Sequence, residues 1–233
     1  MSANERNDDR LAVLAHELRN PLGALANAAD VLAHYAARDP AIARVSEIVQ
    51  RQTAVMRALV EELLDVSRLD NERLALRMRE LDLRDVVRNA LEDHREQIEQ
   101  AGLRWEIELD LQPVPVVGDR VKLAQVLGNL LSNAVKFTPP PGSVHVAVQA
   151  SDGCARLTVR DTGVGIPPDM LGVVFHRFRQ ARRGGHGGLG LGLPIAKGIV
   201  ELHGGEITAA SGGAGQGCMI AIRLPIAAET RAG

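Results

Sequence analysis

The sequence predicts a helical hairpin followed by an α/β sandwich, which is the fold class α plus α/β. Apolar residues recur at steps of three, four and seven over residues 10–70, as in amphipathic helices. From about residue 80, short runs alternate apolar and polar residues, as half-buried strands do, and helical stretches separate some of them. A length of 233 residues is enough for two domains. We predict a dimerisation domain over residues 1–70, a junction over 71–82 and an α/β domain over 83–233.

Composition excludes several classes of protein. Lys and Arg number 27 and Asp and Glu number 29, so the net charge of −2 argues against nucleic acid as the partner. Cys154 and Cys218 are too few for a disulfide framework, and we expect both to be reduced. No stretch approaches the roughly 18 uncharged apolar residues of a membrane span. The polar start MSANERNDDR does not resemble a signal peptide. We therefore expect a cytoplasmic chain without a membrane segment.

Two helices account for the first domain. The turn between them lies in HYAARDP, where Asp39-Pro40 is typical of a helix start. The apolar stripe of the first helix consists of Leu11, Leu14, Leu18, Leu22, Leu25 and Leu32. The stripe of the second consists of Ile42, Val45, Ile48, Val49, Met56, Leu59, Leu63, Val66 and Leu69. A lone antiparallel hairpin cannot bury both stripes, so we predict a homodimer whose two hairpins form a four-helix bundle.

The second domain alternates helices and strands. Helical patterns occupy residues 84–100, 119–136 and 189–203. The strand-like runs are LRWEIELD, PVPVVGD, SVHVAVQA, ARLTVRDT, GEITAAS and CMIAIRLP. Their alternation favours an antiparallel sheet with helices covering one face.

Two glycine-rich segments and one helix suggest a phosphate site. DTGVGIP (161–167) follows a strand, and GGHGGLGLGLPIAKGIV (184–200) runs into an apolar helix, whose N-terminus favours anions. Neither a P-loop nor a dinucleotide fingerprint is present, and turn glycines remain the alternative. Asn129, Asn133 and Lys136 are spaced i, i+4 and i+7 on the helix at 119–136. Amide oxygens suit Mg²⁺ and lysine suits phosphate, although a solvated helix face would look the same.

Five stretches, taken in order, resemble the H, N, G1, F and G2 boxes of sensor histidine kinases. They are HELRNPL (16–22), QVLGNLLSNAVKFTP (125–139), DTGVGIP (161–167), VFHRFRQ (174–180) and GGLGLGLPIAKGIVELHGG (187–205). The resemblance spans residues 11–225. It implies a dimerisation and phosphoacceptor hairpin followed by an ATP-binding domain of the GHKL (Bergerat) type.

The resemblance implies roles for three residues of the hairpin. His16 would accept the γ-phosphoryl group of ATP, and Glu17 would act as the general base. Asn20, four residues after His16, would orient water against the phosphoaspartate of a partner, which would add a phosphatase activity.

The resemblance also implies a nucleotide site in the second domain. Asn129 and Asn133 would hold Mg²⁺ and phosphates, with Lys136 on a phosphate. Phe137 would pack against adenine and Asp161 would accept a hydrogen bond from its amino group. The remaining implied contacts are Gly163 and Gly165 at the base, Arg177 at the γ-phosphate, and Gly188, Gly190 and Gly192 at the phosphates. Residues 176–188 would form a lid anchored in the core by Phe175 and Phe178.

The implied activity is that of an ATP-dependent protein-histidine kinase with ATP and Mg²⁺ as cofactors. The chain would autophosphorylate on His16 and pass the phosphoryl group to an aspartate of a response regulator receiver domain. Nothing before residue 10 resembles a sensor, so we expect a separate or missing sensor domain. Three alternatives stay open: an ATPase of the same fold, a non-catalytic dimeric scaffold and a form dominated by phosphatase activity. Asn129 disfavours the ATPase, because related chaperones and topoisomerases have a water-activating glutamate there and asparagine cannot take a proton.

Overall fold

The computed structural model describes residues 18, 21–33, 40–70, 74–179 and 189–227. The chain divides into two compact units, Met1–Leu74 and Ala75–Gly233. Within the described ranges, no helix is both long enough and apolar enough to cross a membrane.

The first unit contains an antiparallel helical hairpin, as predicted. Helix α1 covers residues 21–33 and helix α2 covers Pro40–Asp70. Leu22, at the start of α1, is buried in a cluster with Val60 and Leu64 from the second half of α2. At the opposite end, the Ser46 hydroxyl donates to the Ala29 carbonyl at 3.1 Å. The start of each helix therefore packs against the later part of the other.

The second unit is an α/β sandwich, which confirms the predicted fold class. Its elements are β1 (Arg79–Asp82), α3 (Leu83–Gln100), β2 (Leu103–Leu109), β3 (Pro115–Gly118), α4 (Arg120–Phe137), β4 (Gly142–Ser151), β5 (Cys154–Asp161), α5 (Pro168–Leu171), α6 (Gly192–Leu202), β6 (Glu206–Ala210) and β7 (Cys218–Pro225). The described strands form a five-stranded sheet in the order β2-β4-β5-β7-β6 and a two-stranded sheet of β1 and β3.

The sheet differs from the predicted one in three respects. Strand β2 pairs with β4 in parallel, not antiparallel. Helix α4 lies between these strands in the chain, and the chain returns along it to the edge of the sheet where β2 begins. Strand β3, the predicted run PVPVVGD, lies outside the main sheet. It pairs instead with β1, which the sequence analysis did not predict.

Helices α3, α4 and α6 provide about half of the buried apolar residues of the second unit, and the strands provide most of the rest. The buried residues of α4 are Leu123, Val126, Leu127, Leu130, Leu131 and Ala134. In β5, Leu157 and Val159 are buried while Arg156 and Arg160 are exposed, so one sheet face is covered and the other is open. Asp119 ends the loop before α4, and its side chain accepts hydrogen bonds from Val121 N and Lys122 N. This cap fixes the start of the helix that carries the polar stripe.

Candidate nucleotide site

The polar stripe of α4 lies beside the first residue of α6. Asn129, Asn133 and Lys136 are half-buried, whereas Leu130, Leu131 and Ala134 between them are buried. Asn129 Nδ2 donates to the Gly192 carbonyl at 3.1 Å. Helix α6 begins at Gly192, and its N-cap residue Leu191 makes no side-chain hydrogen bond to the first N–H groups of the helix. The structure thus places the Asn129 amide next to a helix N-terminus, an arrangement that suits phosphate, and Asn133 lies one turn further along α4.

Asp161 ends β5 and is held by the backbone of two neighbouring segments. Its Oδ1 accepts hydrogen bonds from Gly163 N at 2.8 Å and from Cys218 N at 3.2 Å. Burial raises the pKa of Asp161 above its ordinary value of 3.8, and the hydrogen bonds it accepts offset this only in part. The carboxylate is therefore fixed in place but poorly solvated.

The Thr138 hydroxyl lies next to this carboxyl and acts to lower its pKa. Thr138 is only 3% exposed, and its Oγ1 makes no well-formed hydrogen bond with any described residue. A buried hydroxyl of this kind needs a partner. Beside an accepting carboxylate, it suits a ligand edge that carries both a donor and an acceptor, as the edge of adenine does. The residues present therefore fit an adenine nucleotide.

Glycine is required on the loop after Asp161 because two backbone segments approach it closely. A Cβ on Gly163 would lie 2.2 Å from the Phe137 carbonyl oxygen. Gly165 has φ +69°, and a Cβ there would lie 2.0 Å from the Gly213 carbonyl oxygen. These contacts give both glycines a packing reason within the protein. Their predicted closeness to a bound base stays a prediction.

Lys136 and Phe137 contact each other at the end of α4. The Lys136 ammonium lies 4.9 Å from the centre of the Phe137 ring, a cation–π contact. The Phe137 side chain is 36% exposed. Both groups lie on the segment that also contacts Gly163, but their predicted contacts with phosphate and adenine remain predictions.

The predicted anchoring of a lid by two phenylalanines is wrong for one of them. Phe175 is half-buried, whereas Phe178 is 60% exposed. Both residues lie in turns after α5, and Phe178 has φ 59°, a left-handed backbone conformation. Phe178 N donates to the Gly190 carbonyl at 3.2 Å. Arg177 is exposed beside it, and its proposed contact with a phosphate stays a prediction.

Four predicted site residues lie outside the described residues. They are His16, Glu17 and Asn20 in the hairpin and Gly188 before α6. The roles assigned to them remain predictions. Gly190 has φ +71° and lies two residues before α6, so the predicted glycine segment does lead into the helix.

The sequence analysis missed Thr138 and Ser211. Ser211 Oγ accepts from Ile166 N at 3.0 Å and donates to the Gly217 carbonyl at 2.6 Å, which joins the loop after Asp161 to the loop before β7. A signal was available for each residue. Thr138 directly follows the Asn-bearing helix, and Ser211 opens the turn-like segment SGGAGQG.

Fold and site together define a class: an ATPase-type domain that follows a helical hairpin. Residues 118–228 match the family model described as histidine kinase-, DNA gyrase B- and HSP90-like ATPase. Residues 6–72 match the model of the His Kinase A (phospho-acceptor) domain. The second unit is therefore an ATP-binding domain of this class.

The chain belongs to the sensor histidine kinase family. It is 34% identical over 222 residues to the histidine protein kinase DivJ of Caulobacter vibrioides, a match that covers 93% of the chain and 37% of DivJ. The solved structure of a mycobacterial sensor histidine kinase, MprB, is 34% identical in sequence to this chain and has a TM-score of 0.56. The match covers 64% of this chain and 97% of the MprB chain. Full-length ShkA in complex with AMPPNP has a TM-score of 0.78 at 28% identity, with 94% of this chain and 46% of ShkA covered. The chain spans less than half the length of the first curated relatives that it matches.

Proposed function

We propose that this chain is the catalytic core of an ATP-dependent protein-histidine kinase in a two-component system. It transfers the γ-phosphoryl group of ATP to His16 and then to an aspartate of a response regulator receiver domain. The observation that supports the nucleotide part best is that the half-buried Asp161 carboxylate lies beside the buried hydroxyl of Thr138. The phosphoacceptor part rests on the HELRNPL motif and on the family of the chain.

Asp161 recognises the adenine base in this proposal. Its Oδ1 is already occupied by Gly163 N and Cys218 N, so the side chain cannot rotate without losing both bonds. The exocyclic amine of adenine donates to the carboxylate and so compensates for the water that burial has removed. Thr138 forms the second polar contact, and Phe137 together with Gly163 and Gly165 borders the base.

The phosphates lie between α4 and the N-terminus of α6. Because the Gly192 carbonyl can only accept, the Asn129 nitrogen must face it, and the Asn129 amide oxygen points elsewhere. That oxygen and the Asn133 oxygen would hold Mg²⁺, which neutralises phosphate charge when bound. Lys136, Arg177 and the Gly188–Gly192 segment would contact the phosphates directly. The amide of Asn129 cannot accept a proton from a water molecule, as a carboxylate could. This favours transfer of the phosphoryl group to histidine over hydrolysis of ATP.

The transfer exchanges one bond to phosphorus for another. A ring nitrogen of His16 uses its lone pair to form the P–N bond, and the bond between the γ-phosphorus and the β,γ-bridging oxygen breaks. ADP leaves with that electron pair. The Glu17 carboxylate accepts the proton from the other ring nitrogen, so that the phosphorylated ring is neutral. In the second step a carboxylate oxygen of the receiver aspartate attacks the phosphorus, the P–N bond breaks with its electron pair on the ring nitrogen, and the other ring nitrogen regains the proton from Glu17.

Labelling with γ-labelled ATP and Mg²⁺ tests the proposal. We expect acid-labile, alkali-stable label on the wild type and none on His16→Ala. His145→Ala provides a matched control, because this histidine lies in β4 and pairs with Glu108 at 3.6 Å, away from the proposed site. Asp161→Asn should lose both nucleotide binding and label. Label that persists in His16→Ala, or an unlabelled wild type that binds ATP, would refute the kinase assignment.

The homodimer is proposed from apolar residues that the hairpin leaves exposed. Leu18 and Leu25 on the first helix are 44% and 47% exposed, and Val45, Ile48 and Met56 on α2 are 45–51% exposed. A second copy would cover them in a four-helix bundle. Ile48→Glu should convert the dimer to a monomer in analytical ultracentrifugation, while Glu47→Gln, at an exposed neighbour, should not. Identical dimerisation of the two variants would contradict this proposal.

We also propose that Asn20 supports dephosphorylation of the receiver aspartate, because its spacing from His16 places both residues on one helix face. Asn20→Ala should autophosphorylate normally but dephosphorylate a phosphorylated receiver domain several-fold more slowly. Equal rates in the two proteins would assign the water-orienting role elsewhere. We place this core in the cytoplasm.

A further inference from the structure

His203 is a buried histidine whose two ring nitrogens are both hydrogen-bonded. It caps the C-terminus of α6 and is 6% exposed. Nδ1 lies 2.7 Å from the Ile199 carbonyl, and Nε2 lies 2.9 Å from the backbone nitrogen of Asp119. A carbonyl can only accept and a backbone N–H can only donate. The ring is therefore the neutral tautomer that carries its proton on Nδ1.

These two bonds connect α6 to the start of α4. Asp119 is the N-cap of α4, whereas Ile199 belongs to the last turns of α6. The ring is also seated against the end of β3, since a Cβ on Gly118 would lie 3.0 Å from His203 Cδ2. The imidazole thus fills the space between the C-terminus of one helix and the N-terminus of the other.

A second hydrogen bond connects the same two helices at the nucleotide site. Asn129 Nδ2 donates to the Gly192 carbonyl at the start of α6. The two connections are ten residues apart on α4 and eleven apart on α6. At 1.5 Å per residue these spans are about 15 Å and about 17 Å. The antiparallel helices are therefore joined at both ends of a segment of matched length, which fixes how far one can slide along the other.

We propose that His203 is a positioning residue for nucleotide binding, and the inference rests on the proposed function. By fixing the end of α6 to Asp119, it sets the place of Gly192 and the helix N-terminus relative to Asn129. His203 itself lies about 17 Å from Gly192 along the helix axis and does not touch the phosphates. His203 instead sets the distance between the Asn129 side chain and the N-terminus of α6, the two groups that hold the phosphates in the proposed function.

Three variants test the proposal. His203→Leu fills the space but removes both hydrogen bonds, whereas His203→Gln keeps an acceptor near the position of Nε2. His94→Leu is the matched control. His94 is half-buried on α3 and its Nδ1 bonds to the Ala90 carbonyl of its own helix, and among the described residues it has no hydrogen bond to a second helix. We measure the KM for ATP and kcat of autophosphorylation, well below the unfolding temperature of each variant.

We expect His203→Leu to raise KM for ATP about fivefold, the effect of one lost hydrogen-bonded connection, with kcat within about twofold of the wild type. His203→Gln should recover most of the loss, and His94→Leu should match the wild type. A purely structural role would instead lower the folded fraction and hence the apparent kcat at unchanged KM, and that result would overturn the inference. A wild type that binds ATP and is labelled, with an unaltered KM in His203→Leu, refutes the role of His203 alone. A wild type that binds no ATP refutes the proposed function and this inference with it.

Discussion

Gly163→Ala is expected to disrupt both the stability of the second unit and its nucleotide site. The new Cβ would lie 2.2 Å from the Phe137 carbonyl oxygen, where ordinary contact begins at 3.4 Å, so backbone must move by about 1.2 Å. That movement would lengthen two hydrogen bonds. They run from Gly163 N to Asp161 Oδ1 at 2.8 Å and from Val164 N to Phe137 O at 2.9 Å. Strain of this kind costs about 1–3 kcal/mol, and each weakened bond about 1 kcal/mol. We expect a loss of about 3–5 kcal/mol.

Urea unfolding followed by fluorescence measures this loss. Trp105 is the single tryptophan and lies in β2, so its emission reports on the second unit. With a slope of about 2 kcal/mol/M, the midpoint should fall by roughly 1.5–2.5 M. ATP affinity by calorimetry should fall at least about tenfold, because Asp161 moves with the loop.

Gly172→Ala is the matched control for this experiment. A Cβ there meets nothing within 4 Å, and its backbone, with φ −69° and ψ −15°, is open to any residue. This variant should keep the wild-type midpoint and affinity. If Gly163→Ala and Gly172→Ala unfold at the same urea concentration and bind ATP equally well, the close approach at Gly163 has no energetic consequence and the reasoning fails.

Three further predictions concern titratable groups in the second unit. Asp161→Asn keeps an oxygen for both backbone donors while removing a buried charge whose pKa is raised, so without nucleotide it should be as stable as the wild type or more stable at pH 7.5. The difference in stability between the two proteins should shrink in urea titrations as the pH falls through the Asp161 pKa. The ATP affinity of Asp161→Asn should stay reduced at least about tenfold. A urea midpoint of Asp161→Asn below that of the wild type at pH 7.5 would contradict this prediction. Asp119→Ala removes the cap of α4 and should cost about 1–2 kcal/mol. Burial acts to raise the pKa of Asp119, but hydrogen bonds from three backbone N–H groups outweigh it and lower that pKa. The stabilisation is therefore full above the ordinary value of 3.8 and is lost as the pH falls through the lowered native pKa, where the two proteins should converge. Burial, with the nearby Asp161 carboxylate, raises the pKa of Cys218 to about 12. In a Cys154→Ser background, mass spectrometry should find iodoacetamide at pH 8 modifying it about a thousandfold more slowly in the folded protein than in urea, and similar rates would show the thiol to be accessible.

The helices could be located from sequence because periodicity and capping residues agree. Asp119 caps α4 within one residue of the predicted start, and Asp82 caps α3 in the same way. Strand direction could not be read from alternation, because parallel and antiparallel strands have the same period of two. Only the crossover through α4 makes β2 and β4 parallel. Strand β1 is four residues long and exists through its pairing with β3, which is 36 residues later, so local pattern carried no signal for it.

The site was predictable where a motif carries it and not where distant segments meet. The motifs pointed to Asn129 and Asp161, and the structure shows Asn129 bonded to Gly192 and Asp161 fixed by two backbone N–H groups. The contact of Ser211 with Ile166 spans 45 residues and depends on how two loops fold together. Phe178 was expected to anchor the lid in the core, but it lies in a turn with φ 59° and is 60% exposed.

The two oxygens of the Asp119 carboxylate perform different tasks. Oδ1 accepts from Val121 N and Lys122 N and so ends the loop before α4, whereas Oδ2 accepts from Arg77 N at 2.9 Å. Arg77 belongs to the segment with which the second unit begins. The first residues of that unit are thus fastened to the same group that caps the helix bearing Asn129 and Asn133. A displacement of Arg77 would therefore act on the carboxylate that caps α4, so the start of the second unit and the amino end of this helix share one anchor.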